Sequence, residues 1–202
     1  MKNINQINFQ NIKKVGIRVD FNVPISDSFK VTDNTRLLRA KDTIDFVLKK
    51  ECKVLLLSHF GRPKEAFDEK FSFANLIDQF SDILGYEINL LTYDEFLQNG
   101  LQKFNESSNK ITLLDNIRFF EGEKKNDQSF SRSITNELDL FINEAFSASH
   151  RSHASVDQMA KNILSVPGLN FSKELMVVND IKKSSKKKLA IIGGSKVSTK
   201  IK

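Results

Sequence analysis

Residues 53–63 read KVLLLSHFGRP. The apolar run VLLL at 54–57 is followed by a segment that contains a serine, a histidine, a glycine and an arginine. Four to eight apolar residues followed by turn-forming residues are typical of a strand that is buried on both faces of a parallel sheet. Similar β-branched or leucine-rich runs recur at residues 15–19, 111–114, 138–142 and 189–192. The sequence therefore predicts a sheet of short, buried strands.

Amphipathic helices are predicted between these strands. Apolar residues fall on one helical face over residues 35–50, 73–84 and 171–181. Gly85 follows the second pattern at the position where a helix usually ends, and Pro167-Gly168 precedes the third. Because strands and helices alternate along the chain, we expect an α/β fold with a mostly parallel sheet.

The charge distribution argues against a nucleic-acid-binding protein. Of the 202 residues, 40% are hydrophobic and 28% charged, enough for one large core or for one domain and part of another. The formal net charge is +6, but residues 182–202 carry eight lysines and no acid, which leaves −2 for residues 1–181. No aromatic residue interleaves with those lysines, as single-strand binding would require. We interpret the tract 182–188 as a solvated helix end or hinge, with a phosphate-attracting role as the alternative.

Cysteine usage and hydropathy favour a cytoplasmic location. Cys52 is the only cysteine, so no internal disulfide can form, and a reducing compartment is favoured. We interpret it as a small buried hydrophobe rather than a nucleophile. The first ten residues lack the apolar stretch of a signal peptide, and no aliphatic run is long enough to cross a bilayer.

Arginines recur close to the predicted strand ends, where ligands gather in open α/β sheets. The first predicted helix adds Arg36 near its N-terminus. Guanidinium groups hold carboxylates and phosphates through paired hydrogen bonds and keep their charge at physiological pH. Any single arginine could instead be a surface residue or a salt-bridge partner. Their recurrence at successive strand ends nevertheless predicts one cleft for a small, multiply anionic ligand.

The histidines and one glycine-rich turn are less specific signals. His150 and His153 have a spacing that zinc could use, yet no cysteine or third histidine is near, so we expect no metal site. His59 could donate a hydrogen bond to an anion or be merely structural. The segment GGSKVSTK at 193–200 could bring backbone amides and two lysines to a phosphate, although it matches neither a Walker A loop nor a dinucleotide fingerprint.

Six stretches, in order along the chain, carry a family resemblance. They are RVDFNVP at 18–24, DNTR at 33–36, SHFGRPK at 58–64, LLDNIRFFEGEKKND at 113–127, NEAFSASHRSHAS at 143–155 and GGSKVSTK at 193–200. With these motifs the sequence resembles the phosphoglycerate kinase family. The resemblance implies two Rossmann-like domains joined by a hinge, and reversible phosphoryl transfer between ATP and the carboxylate of 3-phosphoglycerate, a step of glycolysis and gluconeogenesis.

The resemblance also assigns roles to individual residues. Those that would contact 3-phosphoglycerate are Asp20, Asn22, Arg36, His59, Arg62, Arg118 and Arg151. Arg36 and Lys196 would stabilise the phosphoryl group during transfer, and Lys200 would bind the nucleotide phosphates. Because the attacking carboxylate is already ionised near neutral pH, catalysis would rest on alignment and charge neutralisation, without a general base. The co-substrate would be Mg-ATP or Mg-ADP, and the family expectation is a monomer.

The same resemblance divides the chain into three parts. Residues 1–167 would form a Rossmann-like three-layer domain that binds 3-phosphoglycerate, 168–188 an interdomain helix or hinge, and 189–202 the truncated start of a second, nucleotide-binding α/β domain. Since the family's nucleotide domain should continue well past Lys202, we expect the 202-residue chain to bind 3-phosphoglycerate weakly and to lack measurable kinase activity. The alternative is a non-catalytic module that binds a phosphorylated ligand.

Three positions depart from the usual family pattern. Asp115 stands where glutamate is usual, Glu144 where aspartate is usual, and Ser147 where glycine is typical. We expect the two acidic exchanges to keep the charge and change local geometry. Ser147 is expected to alter a turn near the arginines.

Overall fold

Six parallel strands form one sheet. The computed structural model describes residues 3–64, 66–189 and 191. Its strands are β1 (Lys14–Arg18), β2 (Lys53–Leu57), β3 (Ile88–Leu91), β4 (Ile111–Leu114), β5 (Leu140–Asn143) and β6 (Ser165–Pro167). They lie in the order β3-β4-β2-β1-β5-β6, and every neighbouring pair is parallel.

Helices cover both faces of this sheet. They are α1 (Thr35–Leu48), α2 (Ile77–Leu84), α3 (Tyr93–Asn99), α4 (Gln102–Glu106), α5 (Glu121–Lys124), α6 (Gln128–Thr135), α7 (Gln158–Asn162) and α8 (Leu169–Lys183). Successive residues of β2 point to opposite faces: Val54 and Leu56 belong to one hydrophobic cluster, which includes α1 and α2 residues. Leu55 and Leu57 belong to the other, which includes residues of α3, α4, α6 and α7. The predicted three-layer α/β fold is confirmed.

The strands that the sequence pattern missed are the two at the sheet edges. The pattern located β1, β2, β4 and β5, whose residues are mostly buried. In β3 the middle residues Asn89 and Leu90 are only half-buried, so no continuous apolar run marks the strand. β6 has three residues and ends in Pro167, which an edge strand tolerates. Edge strands lack the buried signal on which the prediction depends.

The predicted helices form, with one difference at the start of the second. Residues 73–75 make a separate 3-10 turn, and α2 begins only at Ile77. Gly85 ends α2 with φ of +72°, as its position predicts. The third predicted helix is α8, and Lys182 and Lys183 are exposed in its last turn. The tract 182–188 therefore begins in the last turn of α8, and its other residues follow the helix.

The last predicted strand and the glycine-rich segment lie largely outside the described residues. Leu189 and Ile191 are described, are exposed and belong to no strand. Ala190 and residues 192–202, which include Lys196 and Lys200, lie outside the described part. Cys52 is completely buried, as predicted. In residues 3–64 and 66–189, no helix combines the length and hydrophobicity that spanning a bilayer requires.

Candidate functional site

The loops after β1, β2 and β4 are joined at the carboxyl edge of the sheet. Asn22 Oδ1 accepts a hydrogen bond from the Gly61 N–H at 2.8 Å. Asn116 bonds both backbone groups of Phe60, accepting from its N–H at 3.1 Å and donating to its carbonyl at 2.7 Å. Gly61 has φ of +56°, and a Cβ there would lie 2.3 Å from the Phe71 ring, so only glycine fits. These contacts fix the loops that carry the predicted site residues.

A cavity of about 270 Å³ opens at this edge. We call it the cationic cavity, and its lining residues are Arg62, Pro63, Arg118, Lys124, Arg151 and His153. None of them is acidic. Arg118 is only 9% exposed and donates through Nη1 to the Gly61 carbonyl. Burial, followed by the charges of Arg151, Arg18 and Arg62, lowers the pKa of Arg118 to about 10. An anion in the cavity would relieve the repulsion among these guanidinium groups.

A second cavity, of about 190 Å³, lies between α1, α8 and the loop after β5. We call it the helix cavity; its charged lining residues are Asp20, Arg36, Arg39, Glu144 and Glu174. Asp20 Oδ2 lies 2.7 Å from Arg36 Nη1 and accepts from the Ser147 hydroxyl at 2.6 Å. Burial alone would raise the pKa of Asp20, but the Ser147 hydrogen bond and the Arg36 charge hold it below its usual value. The helix cavity thus has mixed charge.

His59 interacts electrostatically with residues of both cavities. The charge of Asp20 favours the charged ring, whereas the charges of Arg118 and Arg151 oppose it. The residue is 8% exposed, and its Nδ1 lies 3.2 Å from Nη2 of Arg18. Burial, together with the charges of Arg18 and Arg118, lowers the pKa of His59 to about 3. The imidazole is therefore neutral near physiological pH.

A buried network supports the cationic cavity from behind. Arg18, 2% exposed, donates from Nε to Ser155 Oγ at 2.8 Å, and that hydroxyl donates to Glu123 Oε1 at 2.7 Å. The Ser155 N–H donates to Glu123 Oε2 at 2.8 Å, and His153 Nδ1 lies 3.6 Å from Oε1. Burial would raise the pKa of Glu123, but interactions with His153, Arg18 and Ser155 lower it overall. We call these residues the Arg18–Glu123 network.

The seven residues predicted to contact substrate lie at the same edge of the sheet but divide between the two cavities. Arg62, Arg118 and Arg151 line the cationic cavity. Asp20 and Arg36 line the helix cavity. Asn22 joins the loops after β1 and β2, and His59 interacts electrostatically with charged residues of both cavities.

Sequence reasoning did not select four residues that the structure brings to the site. Arg18 is the one charge inside the apolar run 15–19, and a charge in a buried strand is a usable signal because it demands partners. Glu123, Lys124 and His153 carry no comparable signal. The sequence alone does not separate Lys124, which lines the cavity, from its neighbour Lys125, which pairs with Glu121.

Asp115, at the first departure from the family pattern, braces a turn. The residue is 1% exposed, and its carboxylate accepts from the Ser72 hydroxyl and from the N–H groups of Phe73 and Asn116, each at 2.8 Å. Burial raises its pKa despite these bonds. The carboxylate holds the 3-10 turn at residues 73–75 against the end of β4.

The other two departures lie at the helix cavity. Glu144 Oε1 accepts from the Asn170 N–H, in the first turn of α8, at 2.9 Å. Burial raises the pKa of Glu144 to about 7, and a Cβ on Gly168 would lie 1.6 Å from its Oε2. Ser147 lies in a 3-10 turn and is not among the described residues with positive φ. Its hydroxyl binds Asp20, so the exchange adds a contact without requiring a glycine-like backbone.

Comparison with known proteins identifies the family. The family model described as phosphoglycerate kinase matches residues 4–202. The chain is 41% identical over 192 residues to phosphoglycerate kinase of Prochlorococcus marinus (strain MIT 9515), covering 94% of this chain and 48% of the relative. It is 39% identical over 193 residues to the cytosolic phosphoglycerate kinase of Triticum aestivum, covering 94% and 47%.

A solved structure gives the same result. Phosphoglycerate kinase from Coxiella burnetii superimposes with a TM-score of 0.82 and 31% sequence identity, covering 99% of this chain and 50% of that one. The chain spans about half the length of the curated relatives it matches. With the family match over residues 4–202, the chain belongs to the phosphoglycerate kinase family.

Proposed function

We propose that this chain serves phosphoglycerate kinase activity and that its described residues bind 3-phosphoglycerate. The observation that carries the proposal is the convergence of Arg62, Arg118 and Arg151 on one cavity whose lining includes no acid. Among the described residues, none of these three guanidinium groups lies within 4.0 Å of a carboxylate. Such a cavity suits a phosphorylated anion. The family match over residues 4–202 favours the kinase over a non-catalytic binding module.

Charge decides how the substrate would lie. A phosphate monoester carries about −1.5 to −2 near neutral pH, whereas a carboxylate carries a single charge. The phosphate therefore belongs in the cationic cavity, and the carboxylate lies towards Arg36. His59 and Asp20 would hold the middle of the molecule, where the hydroxyl group lies. Arg36 is half-exposed, so it can face an incoming nucleotide.

The transfer step needs no proton acceptor in this chain. A carboxylate oxygen of 3-phosphoglycerate attacks the γ-phosphorus of ATP, the bond from that phosphorus to the bridging oxygen breaks, and ADP leaves with the electron pair. The product is the acyl phosphate 1,3-bisphosphoglycerate. Repulsion between the two anions is the main obstacle, and Arg36 and Lys196 are the residues we assign to offset it.

Magnesium would arrive with the nucleotide. Among the described residues, no three His, Cys, Asp or Glu side chains cluster to hold a metal ion. The cationic cavity does not fit a divalent cation, because its charged lining residues are three arginines and a lysine, which would repel the ion. We assign Lys200 to the nucleotide phosphates. We further propose residues 1–167 as the 3-phosphoglycerate domain, 168–188 as the interdomain helix and 189–202 as the start of the nucleotide domain, in a cytoplasmic monomer.

Calorimetric titration with 3-phosphoglycerate tests the proposal. The wild-type chain should bind, and Arg62→Gln should bind roughly 30-fold more weakly, because a charge-assisted hydrogen bond contributes about 2 kcal/mol. Arg132→Gln is the matched control, since Arg132 is an exposed arginine on α6. Equal affinities for wild type and Arg62→Gln, or no binding by wild type, would contradict the assignment.

A further inference from the structure

Arg18 faces His59 with a group that can only donate. A guanidinium has five N–H donors and no acceptor. Its Nη2 lies 3.2 Å from His59 Nδ1, so that nitrogen must be the acceptor, without a proton. A neutral imidazole carries its one proton on the other nitrogen. The contact therefore requires a proton on Nε2.

Arg18 is held so that it cannot easily turn away. Its Nε donates to Ser155 Oγ at 2.8 Å, and Nη1 donates to the Val19 carbonyl at 2.5 Å. The side chain is almost fully buried, within the Arg18–Glu123 network. A guanidinium fixed at two of its nitrogens presents the third in a defined direction, because the group is planar.

His59 Nε2 is the end of the ring that remains available. Among residues 3–64 and 66–189, Nε2 has no hydrogen-bond partner, and it is not one of the buried polar atoms without a partner. An N–H donor that protein groups do not use can bind a ligand oxygen. A ligand bound among Asp20, Arg118 and Arg151, whose charges act on His59, would supply that oxygen.

We propose that Arg18 is a positioning residue that locks His59 in the Nε2–H tautomer, so that His59 binds substrate as a neutral hydrogen-bond donor rather than as a cation. The identity of the substrate rests on the proposed function above; the lock itself does not. Glu123 and Ser155 support Arg18 from behind and belong to the same device.

The surroundings of His59 oppose a second proton. Burial disfavours the charged ring most, and the charges of Arg18, Arg118 and Arg151 add to that effect. Asp20 is the one group among these neighbours that favours the charged ring. His59 should consequently keep one charge state between about pH 5 and pH 8, where an ordinary histidine titrates. Its contribution to substrate binding would not change with pH in that range.

Nitrogen NMR of the 202-residue chain decides the tautomer. The chain has three histidines, and the His59→Gln variant identifies the His59 signals in long-range proton–nitrogen correlation spectra. The expected wild-type result is a protonated Nε2 and an unprotonated Nδ1 from about pH 5 to about pH 8. A proton on Nδ1, or a doubly protonated ring appearing in this range, would overturn the proposal.

Two variants separate the hydrogen bond from charge. Arg18→Met should release the lock and give both tautomers, while burial, the largest cause of the lowered pKa of His59, still keeps the ring singly protonated. Arg151→Gln removes a nearby charge but no contact to Nδ1, so the Nε2–H tautomer should persist. If Arg18→Met does not fold, the wild-type spectrum still decides.

Addition of 3-phosphoglycerate distinguishes the two proposals. The ligand should shift the Nε2 signal and leave the tautomer unchanged. A preserved tautomer with no ligand response would contradict the proposed function and leave the lock intact. Ligand binding to a chain with the opposite tautomer would overturn the lock and leave the function intact.

Discussion

The cationic cavity and the helix cavity lie at the same edge of one sheet, yet they differ in whether acids balance their arginines. Arg62, Arg118 and Arg151 face each other without an acid in the cavity lining. In the helix cavity, Arg36 lies 2.7 Å from Asp20, and Arg39 lies 4.0 Å from Glu174. One cavity is built to gain stability from an anion, whereas the other is already neutralised from within.

The difference teaches where the protein places its compensating acids. Glu123, whose charge acts on Arg118 of the cationic cavity, is buried and reaches Arg18 through the Ser155 hydroxyl. The acid therefore supports the cavity wall without adding a negative charge to its lining. A carboxylate inside the cavity would compete with phosphate for the same guanidinium groups.

The largest expected effect comes from removing the acid behind the cationic cavity. Glu123→Gln removes the charge that compensates buried Arg18 through the Ser155 hydroxyl, and leaving a buried charge uncompensated costs about 3–5 kcal/mol. The free energy of unfolding, measured by urea denaturation, should fall by about that amount. Glu121→Gln is the control on the same helix, because its pair with Lys125 is exposed and contributes little. Equal losses in the two variants would show that Glu123 has no special role.

The free energy of unfolding should depend on pH because of Glu144, a buried acid of the helix cavity. The pKa of Glu144 is about 7 in the folded chain against 4.5 as its ordinary value. Between these values the folded state binds more protons than the unfolded state, so the contribution of Glu144 to stability falls as pH rises from 4.5 to about 7. At about 1.4 kcal/mol per pKa unit, the loss reaches roughly 3 kcal/mol.

Glu144→Gln cannot ionise and should lack this decline. Its advantage in unfolding free energy over wild type should grow across the same pH window and then stay constant. Glu174→Gln, at an exposed acid of the same cavity, should follow the wild-type curve. A constant offset between Glu144→Gln and wild type at all pH values would refute the raised pKa.

The affinity for inorganic phosphate tests whether the two cavities differ in anion binding. Arg151→Gln should weaken phosphate binding roughly 30-fold, which corresponds to about 2 kcal/mol. Arg36→Gln should leave it within about twofold, since Arg36 is paired with Asp20. Calorimetry at low salt measures both, because screening is then weakest. An equal loss of phosphate affinity in Arg36→Gln would place phosphate between the cavities and contradict the difference between them.

Sequence patterns predict the strands that carry this site better than they predict how its residues divide between the two cavities. The interior strand β2 is recognisable because both of its faces are buried, and its C-terminal end leads to His59 and Arg62. The rule that ligands gather at carboxyl ends then brings the arginines to one edge. The spacing of residues along the sequence does not indicate that Arg18 binds Ser155 in the interior while Arg62 lines a cavity. That depends on packing between Arg18 and Ser155, which lie 137 residues apart in the sequence.

The smallest expected effect concerns the hydroxyl that joins Ser147 to Asp20. Ser147→Ala removes a hydrogen bond that lowers the pKa of Asp20, so this pKa should rise, as carboxyl-carbon NMR titration can measure. The variant also frees an acceptor position on Asp20 Oδ2, and affinity for 3-phosphoglycerate should increase by a few-fold, less than about 1 kcal/mol. Ser149→Ala is the control, because the Ser149 hydroxyl contacts Asn143 and Ala145 instead. A drop in affinity would show that Ser147 assists Asp20 rather than competing with the ligand for it.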